Sequence, residues 1–335
     1  VGSEMCIRDR FYNEDYMQAG AKIVETAIDI FSQANLIIKV KEPQPIECKM
    51  LNSSHTLFTY LHLAPDILQM DLLLKSGCVA IAYETVTDDD NNLPLLAPMS
   101  AIAGRMAIQE SAHYLKSPQK GKGILFSGVN NISGAKVLVF GGGAAGCNAI
   151  ELALGMNASV TLLEKSPQRI IELRQKFGDK LNVKEVTEEV TLKESSTADA
   201  IIIAALTAGA KAPLIINKKI LAVIKPGSII VDIAIDQGGG CISSYPTTHT
   251  APTFIENGII HYCVTNMPVA VPKTACLALN AVTLPYILDI ANKGVKKALL
   301  EDRHLLNGLN ICNGKITCIA VASAQKRQKD YYPKE

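Results

Sequence analysis

The stretch KVLVFGGGAAG, residues 136–146, is an apolar strand pattern that runs into a glycine turn and then into a helical pattern. Gly141 permits the tight turn, Gly143 lets the backbone approach a pyrophosphate, and Gly146 lets the helix pack closely on the strand. Free N–H groups and the helix dipole favour negative charge at the start of that helix. The stretch therefore predicts a doubly wound α/β domain that binds the phosphates of a dinucleotide at the turn.

A second strand pattern, Ala158–Leu163, ends in the acidic residue Glu164. A carboxylate about 20 residues after the glycine turn accepts hydrogen bonds from a ribose 2′-hydroxyl, and it repels a 2′-phosphate. Glu164 therefore favours NAD over NADP, although the neighbouring Lys165 weakens this preference. The alternative is a doubly wound domain in which the glycines serve only packing.

The length and composition are those of a globular protein with two domains. The chain has 335 residues, of which 48% are hydrophobic and 19% charged, enough for a large core. The net charge is +1 without a basic block, so nothing points to nucleic acid. No apolar run reaches the roughly 18 residues that cross a bilayer. The longest run, Ala200–Leu206, is typical of a buried parallel strand, and we expect no membrane partner.

The nine cysteines are scattered along the chain without a C-x-x-C pair. This spacing argues against a zinc site and against a disulfide framework. Several of the cysteines lie in apolar runs, where a free thiol behaves as a small hydrophobic group. We therefore expect no metal and a reducing, cytoplasmic location.

The first ten residues, Val1–Arg10, show no clear periodicity and do not lead into the next helical pattern. They are too polar for a signal peptide. We interpret them as a cloning or sequence-assembly scar, with a native N-terminal segment lost before Phe11.

Two domains are predicted, and the first is discontinuous. It comprises residues 1–94, in which helix and strand alternate over 11–93, and residues 273–335, where long helices return that we expect to pack back on the first part. Its predicted elements are a helix over Phe11–Gln33, strands over Leu36–Val40, Thr56–Tyr60 and Val79–Tyr83, a helix from Pro65 that ends at Gly77, and C-terminal helices interrupted at Pro285.

Residues 95–272 carry the glycine turn and form the second predicted domain. Ser100 is expected to cap a helix from Ala101 to about Leu115, which leads into this domain. The later apolar runs Ser228–Ile235 and Ile259–Val264 complete a parallel sheet of about six strands, as in a doubly wound fold.

Polar residues follow several of the predicted strands, namely Lys41, His62, Asp236 and Asn266. Ligands of doubly wound sheets bind beyond the carboxyl ends of the strands, so each could face the crevice between the domains. A histidine that titrates near neutrality suits proton transfer beside a hydride transfer. The alternatives are a structural His62, a solvated Lys41, an Asp236 that caps a loop or helix, and a Glu84 that caps a helix or forms an ion pair.

At these same residues the sequence resembles the alanine dehydrogenases, over nearly the whole chain from about Asn13 to Ala322. The motifs that carry the resemblance are LIIKVKEP (36–43), LFTYLHLA (57–64), IAYETV (81–86), LPLLAPMS (93–100), VDIAIDQGG (231–239), PTTH (246–249) and HYCVTNMP (261–268).

The resemblance implies NAD-dependent oxidative deamination of L-alanine to pyruvate and ammonia, and the reverse reductive amination. It implies that Lys41 binds the substrate carboxylate. His62 would polarise the keto or imino group and shuttle a proton, and Asp236 would activate the water or amine and contact the cofactor. The residues implied to line the NAD site are Ser100, Gly141, Gly143, Gly146, Glu164, Asn266 and Met267. A hexamer is also implied.

The sequence departs from the family pattern at several places. The family begins with a strand and a Glu-x-Arg-Val segment whose arginine grips the substrate carboxylate, and nothing before Phe11 matches it. Ala101 stands where the family usually carries Glu, and Ala208 replaces a usual proline. The loop Gln237–Ser244 lacks an acidic residue common there. These departures bear on rate and loop geometry more than on reaction class.

Two other functions stay open from the sequence. One is the soluble NAD-binding part of a proton-translocating transhydrogenase, which shares this architecture; His62 in its Leu-His-Leu setting and the run AGRMAIQ (103–109) favour the dehydrogenase. The other is a catalytically inactive NAD-binding protein, which the missing N-terminal arginine would explain.

Overall fold

The computed structural model describes residues 11–206 and 211–334. Two of the sequence expectations, the scar at Val1–Arg10 and the replaced proline at Ala208, lie outside these residues. The helices are α1 Asn13–Gln18, α2 Ala27–Gln33, α3 Pro45–Cys48, α4 Ile67–Ser76, α5 Ala97–Tyr114, α6 Ala144–Gly155, α7 Pro167–Phe177, α8 Glu188–Ser195, α9 Lys218–Leu221, α10 Pro272–Lys293, α11 Val295–Glu301, α12 Arg303–Gly308 and α13 Ile319–Ala324. The strands are β1 Leu36–Ile38, β2 Thr56–Thr59, β3 Val79–Ala82, β4 Lys136–Phe140, β5 Ser159–Glu164, β6 Leu181–Glu185, β7 Ala200–Ile203, β8 Ile229–Asp232, β9 Thr253–Glu256, β10 Ile259–Tyr262, β11 Leu309–Cys312 and β12 Lys315–Ile316.

The described chain divides into two compact units, which are treated separately below. The first unit contains residues 11–98 and 271–334 together with Lys211, and the second contains residues 99–206 and 212–270.

The first unit is built on a five-stranded sheet of order β1-β2-β3-β11-β12. The strands β1, β2 and β3 are parallel, as their alternation with helices predicts. The C-terminal strand β11 pairs antiparallel with β3, so the end of the chain completes a sheet that its beginning starts. A buried apolar cluster that includes Leu57, Met70 and Ile311 joins residues from both segments into one core.

The second unit contains a seven-stranded sheet of order β6-β5-β4-β7-β8-β10-β9. Six of its strands are parallel, and the edge strand β9 is antiparallel to β10. This is the doubly wound order, with the chain reversing direction across the sheet at β4. The fold class predicted from the glycine turn is therefore confirmed, and the expected sheet of six parallel strands gains one antiparallel edge strand.

The long N-terminal helix predicted over Phe11–Gln33 is wrong, because two short helices, α1 and α2, occupy that stretch. Gly20 has a φ of +91°, a backbone conformation that a right-handed helix cannot contain. Thr26 then starts a new helix, since its side chain accepts a hydrogen bond from the backbone N–H of Asp29. Apolar spacing alone did not reveal this interruption.

Several strands end earlier than the apolar runs predict. The strands β1, β7 and β10 end before the runs do, at Ile38, Ile203 and Tyr262. After β3 and after β8 the chain enters 3₁₀ turns, Tyr83–Thr85 and Ile233–Gln237. Most residues of these turns are as buried as the strands before them. An apolar run reports burial and not backbone conformation, so the boundary could not be read from it.

The predicted cap at Ser100 is also wrong. Helix α5 begins at Ala97, so Ser100 lies inside its first turn. The backbone N–H of Ala97 already donates to the carbonyl of Leu93, which starts the helical turn before Ser100 is reached. Pro98 is tolerated there because the first turn of a helix leaves its N–H groups unpaired within the helix.

Helix α10 corrects two further expectations. It runs through Pro285 without interruption, since one proline removes a single hydrogen bond from a helix of 22 residues. Among the described residues, α10 is also the one helix that is long and apolar enough to cross a membrane, judged by length and composition only. The expectation that no apolar segment reaches this length is therefore wrong. Only 22% of the most apolar window of α10 is buried.

Candidate functional site

In the first unit, the parallel register brings the loops after β1, β2 and β3 to one edge of the sheet. Ile38 is paired with Phe58, and Thr59 with Ala82. The loop that carries Lys41 is tied directly to the end of β2, because the Thr59 hydroxyl donates to the Lys41 carbonyl at 3.0 Å. The structure therefore places the loops of Lys41 and His62 side by side.

The backbone of His62 adopts a left-handed conformation that is uncommon for a residue with a side chain. Its φ is +47°. The buried carboxylate of Glu84 accepts hydrogen bonds from the N–H of Leu61 (3.1 and 3.2 Å) and from the N–H of His62 (2.6 Å). Glu84 is thus neither a helix cap nor an ion-pair partner among the described residues. It is a buried acceptor for the backbone that carries His62.

The imidazole ring of His62 lies parallel to the ring of Tyr60, with centroids 5.8 Å apart. Tyr60 is itself held by its hydroxyl, which donates to the Leu95 carbonyl at 2.6 Å. Burial, with a smaller effect from the charge of Glu84, raises the pKa of Tyr60 well above its usual value, so it stays a donor. The Nδ1 atom of His62 is buried and has no hydrogen-bond partner in residues 11–206 and 211–334. A polar atom left in this state favours a site that receives a ligand group.

Lys41 differs from its neighbour Lys39 in the strength of its ion pair. Lys39 is bound by Glu47 at 2.6 Å, whereas the Nζ of Lys41 is 3.7 Å from the nearest oxygen of Glu42. The side chain of Lys41 is 40% exposed, and the Glu42 oxygen is buried without a hydrogen bond within the described chain. The Lys41 ammonium therefore keeps donors for an added carboxylate.

In the second unit, the three glycines of the turn after β4 have different roles. Gly141 has a φ of +90°, and a Cβ there would lie 2.8 Å from the Cα of Ala205. A Cβ on Gly146 would collide with the carbonyl oxygen of Gly141. At Gly143 a Cβ would meet no atom of the described residues within 4 Å, and this residue is the N-cap of α6 without a side-chain cap. The open backbone at the start of α6 fits a phosphate group.

Glu164 ends β5 and lies against the glycine turn. One carboxylate oxygen accepts from the N–H of Gly142 at 2.7 Å, and the other accepts from the N–H of Lys165 and of Ser166. A carboxylate oxygen has two lone pairs, so the oxygen on Gly142 can still accept a ribose hydroxyl. The residues present therefore fit a dinucleotide at this turn.

Two residues that the sequence did not single out complete the turn. The guanidinium of Arg169 donates to the Gly142 carbonyl at 3.0 Å and to the sulfur of Cys147 at 3.5 Å. The Cys147 thiol donates to the same carbonyl at 3.3 Å. Burial raises the pKa of Cys147 despite the nearby cation, so it remains a thiol. Arg169 lies on α7, and no local pattern shows that this helix position faces the turn.

Asp236 and Asn266 are brought together, although both lie beyond their strands. The carboxylate of Asp236, on the turn Ile233–Gln237, accepts from the N–H of Asn266 at 3.1 and 3.2 Å. Asn266 has a φ of +52°. Asp232, and not Asp236, ends β8; it is buried, accepts from the N–H of Gly240 at 2.8 Å, and has its pKa raised by that burial.

For the other two predicted cofactor-binding residues, Met267 and Ser100, the structure gives burial and position. Met267 is 3% exposed and starts the 3₁₀ turn Met267–Ala270 directly after Asn266. Ser100, in the first turn of α5, is half-buried. No group of three His, Cys, Asp or Glu side chains able to hold a metal ion occurs in the described parts of the chain.

Two family sequence models match the chain. "Alanine dehydrogenase/PNT, N-terminal domain" matches residues 4–103, and "Alanine dehydrogenase/PNT, C-terminal domain" matches residues 107–319. The first match begins at residue 4, inside the stretch Val1–Arg10 that we interpreted as a scar. Together the two matches span most of the chain.

Curated relatives and solved structures agree with these matches. An alanine dehydrogenase from Halomonas elongata is 46% identical over 94% of this chain and 85% of its own length. One from Bacillus subtilis is 44% identical over 93% of this chain and 82% of its own length. A solved L-alanine dehydrogenase superposes with a TM-score of 0.85 at 39% identity, covering 96% of this chain and 88% of that one. The transhydrogenase from Sinorhizobium meliloti has a TM-score of 0.71 at 21% identity, covering 94% and 88%, which shows a shared fold.

Proposed function

Because the chain belongs to the alanine dehydrogenase/PNT family, we propose that it catalyses the NAD-dependent oxidative deamination of L-alanine to pyruvate and ammonia, and the reverse reductive amination. The observation that carries the proposal is the 46% identity to an alanine dehydrogenase over 94% of the chain. The resemblance to transhydrogenase rests on fold alone and does not reach the same level.

Lys41 binds the carboxylate of the substrate in this proposal. Its ammonium is half-exposed and only loosely paired, so it can form a charge-assisted hydrogen bond to an added carboxylate. Lys39 is less suited to this role, because Glu47 binds its ammonium at 2.6 Å and neutralises its charge.

His62 polarises the keto or imino group and moves the proton that the reaction requires. Its ring has a fixed orientation against Tyr60, and its buried Nδ1 has no partner within residues 11–206 and 211–334. An imidazole can take up and release a proton near neutral pH. A donor placed at the substrate oxygen stabilises the negative charge that develops there when the carbinolamine forms or breaks down.

Asp236 activates the water or the amine and contacts the cofactor. Its carboxylate accepts a hydrogen bond from the backbone of Asn266, which holds it in place while leaving acceptor capacity on both oxygens. A carboxylate in this state can accept a proton from an attacking water.

NAD, when bound, supplies the acceptor for the hydride that leaves the α-carbon of alanine. The residues proposed to hold it are Gly141, Gly143 and Gly146 at the pyrophosphate, Glu164 at the ribose, and Ser100, Asn266 and Met267 along the remainder of the site. Gly143 supports the assignment because its backbone is open at the start of α6.

We further propose a homohexamer that works in the cytoplasm. The eight cysteines of the described chain are all free, as in a reducing compartment. Helix α10 leaves Leu277, Leu284 and Leu288 between 42% and 51% exposed, and a second copy of the chain would cover them.

The proposal is tested by NADH absorbance with L-alanine and NAD, and in reverse with pyruvate, ammonia and NADH. We expect turnover in both directions and a loss of at least about 100-fold in kcat for His62→Gln. As a matched control, His113→Gln changes an exposed histidine of α5 and should leave the rate unchanged.

Other outcomes separate the alternatives. NAD binding without turnover would indicate an inactive NAD-binding protein. Hydride transfer from NADH to an NADP analogue, without alanine oxidation, would indicate the transhydrogenase part.

A further inference from the structure

Glu84 holds the backbone that presents His62. The residue is 4% exposed, and its carboxylate accepts from two consecutive backbone N–H groups: Oε1 from those of Leu61 and His62, and Oε2 from that of Leu61. No Lys, Arg or His forms an ion pair with Glu84 within residues 11–206 and 211–334. All the hydrogen bonds that the structure shows for the Glu84 side chain are therefore made to the backbone of Leu61 and His62.

A carboxylate satisfies all three of these contacts, whereas an amide oxygen at the Oε1 position could keep only two of them. An ionised carboxyl group has acceptors on both oxygens, and bonds from N–H groups to an ionised acceptor are stronger than neutral ones. A glutamine would turn an NH₂ group toward at least one of the same N–H donors. The contact thus explains how an acid that has no ion pair among the described residues is accommodated in a buried position.

The backbone conformation at His62 needs such support. A φ of +47° is costly for a residue with a Cβ and persists where surrounding contacts maintain it. On one side of His62, the ring of Tyr60 is fixed by its bond to the Leu95 carbonyl. Glu84 fixes the peptide groups on either side of Leu61, so the direction of the imidazole follows from both contacts.

Glu84 is itself fixed by the C-terminal segment. It lies in the 3₁₀ turn Tyr83–Thr85. The side-chain amide of Asn310 donates to the Thr85 hydroxyl at 2.6 Å, and that hydroxyl lies 3.4 Å from the Gly308 carbonyl. The support of His62 therefore runs from β11, through the turn after β3, to the loop after β2.

We propose that Glu84 is a positioning residue for the dehydrogenase reaction, acting on the substrate only through His62. This inference rests on the proposed function, since it concerns the histidine assigned to proton transfer. Glu84 makes no direct contact with the reacting atoms in this proposal, because its oxygens face backbone N–H groups.

The test is a double-mutant cycle of Glu84→Gln and His62→Gln, read in kcat, KM for alanine and Kd for NAD. Glu84→Gln alone is expected to lower kcat by about 10- to 100-fold, because small displacements of a catalytic group cost that much. KM for alanine and Kd for NAD should change much less than kcat. In the His62→Gln background, Glu84→Gln should cause no further loss, as expected for residues that act as one unit.

Asp302→Asn is the matched control. Asp302 also accepts two backbone hydrogen bonds, from the N–H of His304 and of Leu305, and lies in the same unit. The asparagine keeps the accepting oxygen of a helix cap, so kcat should match wild type.

Hydrogen exchange of the peptide that contains Leu61 and His62 gives a readout independent of turnover. Faster exchange in Glu84→Gln, with other peptides unchanged, supports the contact; equal exchange overturns the inference. Additive losses in the cycle also overturn it. If Glu84→Gln does not fold, as judged by its Tm, Glu84→Asp replaces it in the double-mutant cycle with His62→Gln. The aspartate keeps the charge but withdraws it by one methylene, and the same outcomes support or overturn the inference.

Failure of the proposed function is a separate result. A folded wild-type chain that binds NAD but never oxidises alanine overturns the function and, with it, the role of Glu84 in that reaction. The exchange experiment still shows whether Glu84 holds the Leu61–His62 segment.

Discussion

Single atoms at the glycine turn show how differently three glycines of one motif are constrained. Gly141 is required by its φ of +90°, and Gly146 by the backbone oxygen that its Cβ would strike. A Cβ on Gly143 meets nothing within 4 Å in the described chain, so no contact there requires a glycine. The approach of a ligand would account for Gly143, which agrees with its proposed place at the pyrophosphate.

These differences predict opposite results for two alanine substitutions. Gly143→Ala should leave Tm within a few degrees of wild type but weaken NAD binding by about tenfold or more, because the added methyl group occupies the phosphate position. Gly146→Ala should destabilise the fold by about 1–3 kcal/mol, because the helix is forced away from the turn.

Both effects are measured by titration of NAD and by thermal unfolding. Gly155→Ala, at the far end of α6, is the control; its Cβ meets nothing within 4 Å, and it should change neither quantity adversely. Unchanged NAD affinity in Gly143→Ala would remove Gly143 from the cofactor site.

At the scale of elements, buried polar side chains decide how the ends of strands are arranged. Glu84 holds the loop after β2, and Asp232 holds the loop after β8 through the N–H of Gly240.

His261, within β10, is fully buried and hydrogen-bonded at both ring nitrogens, to the Ile259 carbonyl and to the Ser243 hydroxyl. Since a carbonyl only accepts, Nδ1 carries the proton and Nε2 accepts from Ser243.

The buried His261 predicts a pH dependence of stability. Burial lowers its pKa in the folded state below the usual 6.5, so the unfolded chain binds the proton more tightly. The contribution of the neutral His261 side chain to the free energy of unfolding is therefore complete above pH 6.5. It is lost as the pH falls from 6.5 toward the folded-state pKa.

We expect the unfolding free energy of wild type to fall more steeply with acidification than that of His261→Gln, by at most about 1.4 kcal/mol per pH unit. Urea unfolding between neutral pH and the onset of carboxylate titration measures both slopes. His249→Gln, an exposed histidine outside the strand, should retain the wild-type slope. Equal slopes for wild type and His261→Gln would show that His261 does not set this dependence.

For the whole molecule, the discontinuous first unit is the feature that links fold to function. The chain returns after residue 270 to add β11 beside β3, and the same segment supplies Asn310 and Gly308 to the turn that carries Glu84. A C-terminal segment distant in sequence thus supports the proposed catalytic histidine. Helix α10 of this segment leaves a row of leucines exposed, which is unusual for a protein that acts alone.

The exposed row on α10 predicts assembly. The combined change Leu284→Glu and Leu288→Glu should convert a hexamer into smaller species, because each copy would bring two charges into an apolar contact. Light scattering after size-exclusion chromatography measures the mass. Ile171→Glu, equally exposed on α7, is the control and should leave the mass unchanged. A monomeric wild-type chain would contradict the proposal directly.

The sequence by itself determined what is local or periodic. Residues 136–146 and Glu164 predicted a strand, a glycine turn, a helix and an acidic strand end, and each lies where expected. Helix α4 begins after Asp66 and ends at Gly77, whose φ of +71° gives the expected C-terminal stop. These features could be read because capping, turn conformation and burial periodicity depend on neighbours within a few residues.

Only the tertiary structure decided which distant residues meet. The pairing of Thr59 with Ala82 places Glu84 beside the backbone of His62, and the docking of α7 places Arg169 on the carbonyl of Gly142. The sequence also did not show that β8 ends at Asp232 and not just before Asp236. Such contacts depend on strand register and helix docking, which are set by the packing of the whole core and leave no periodic signal in the residues concerned.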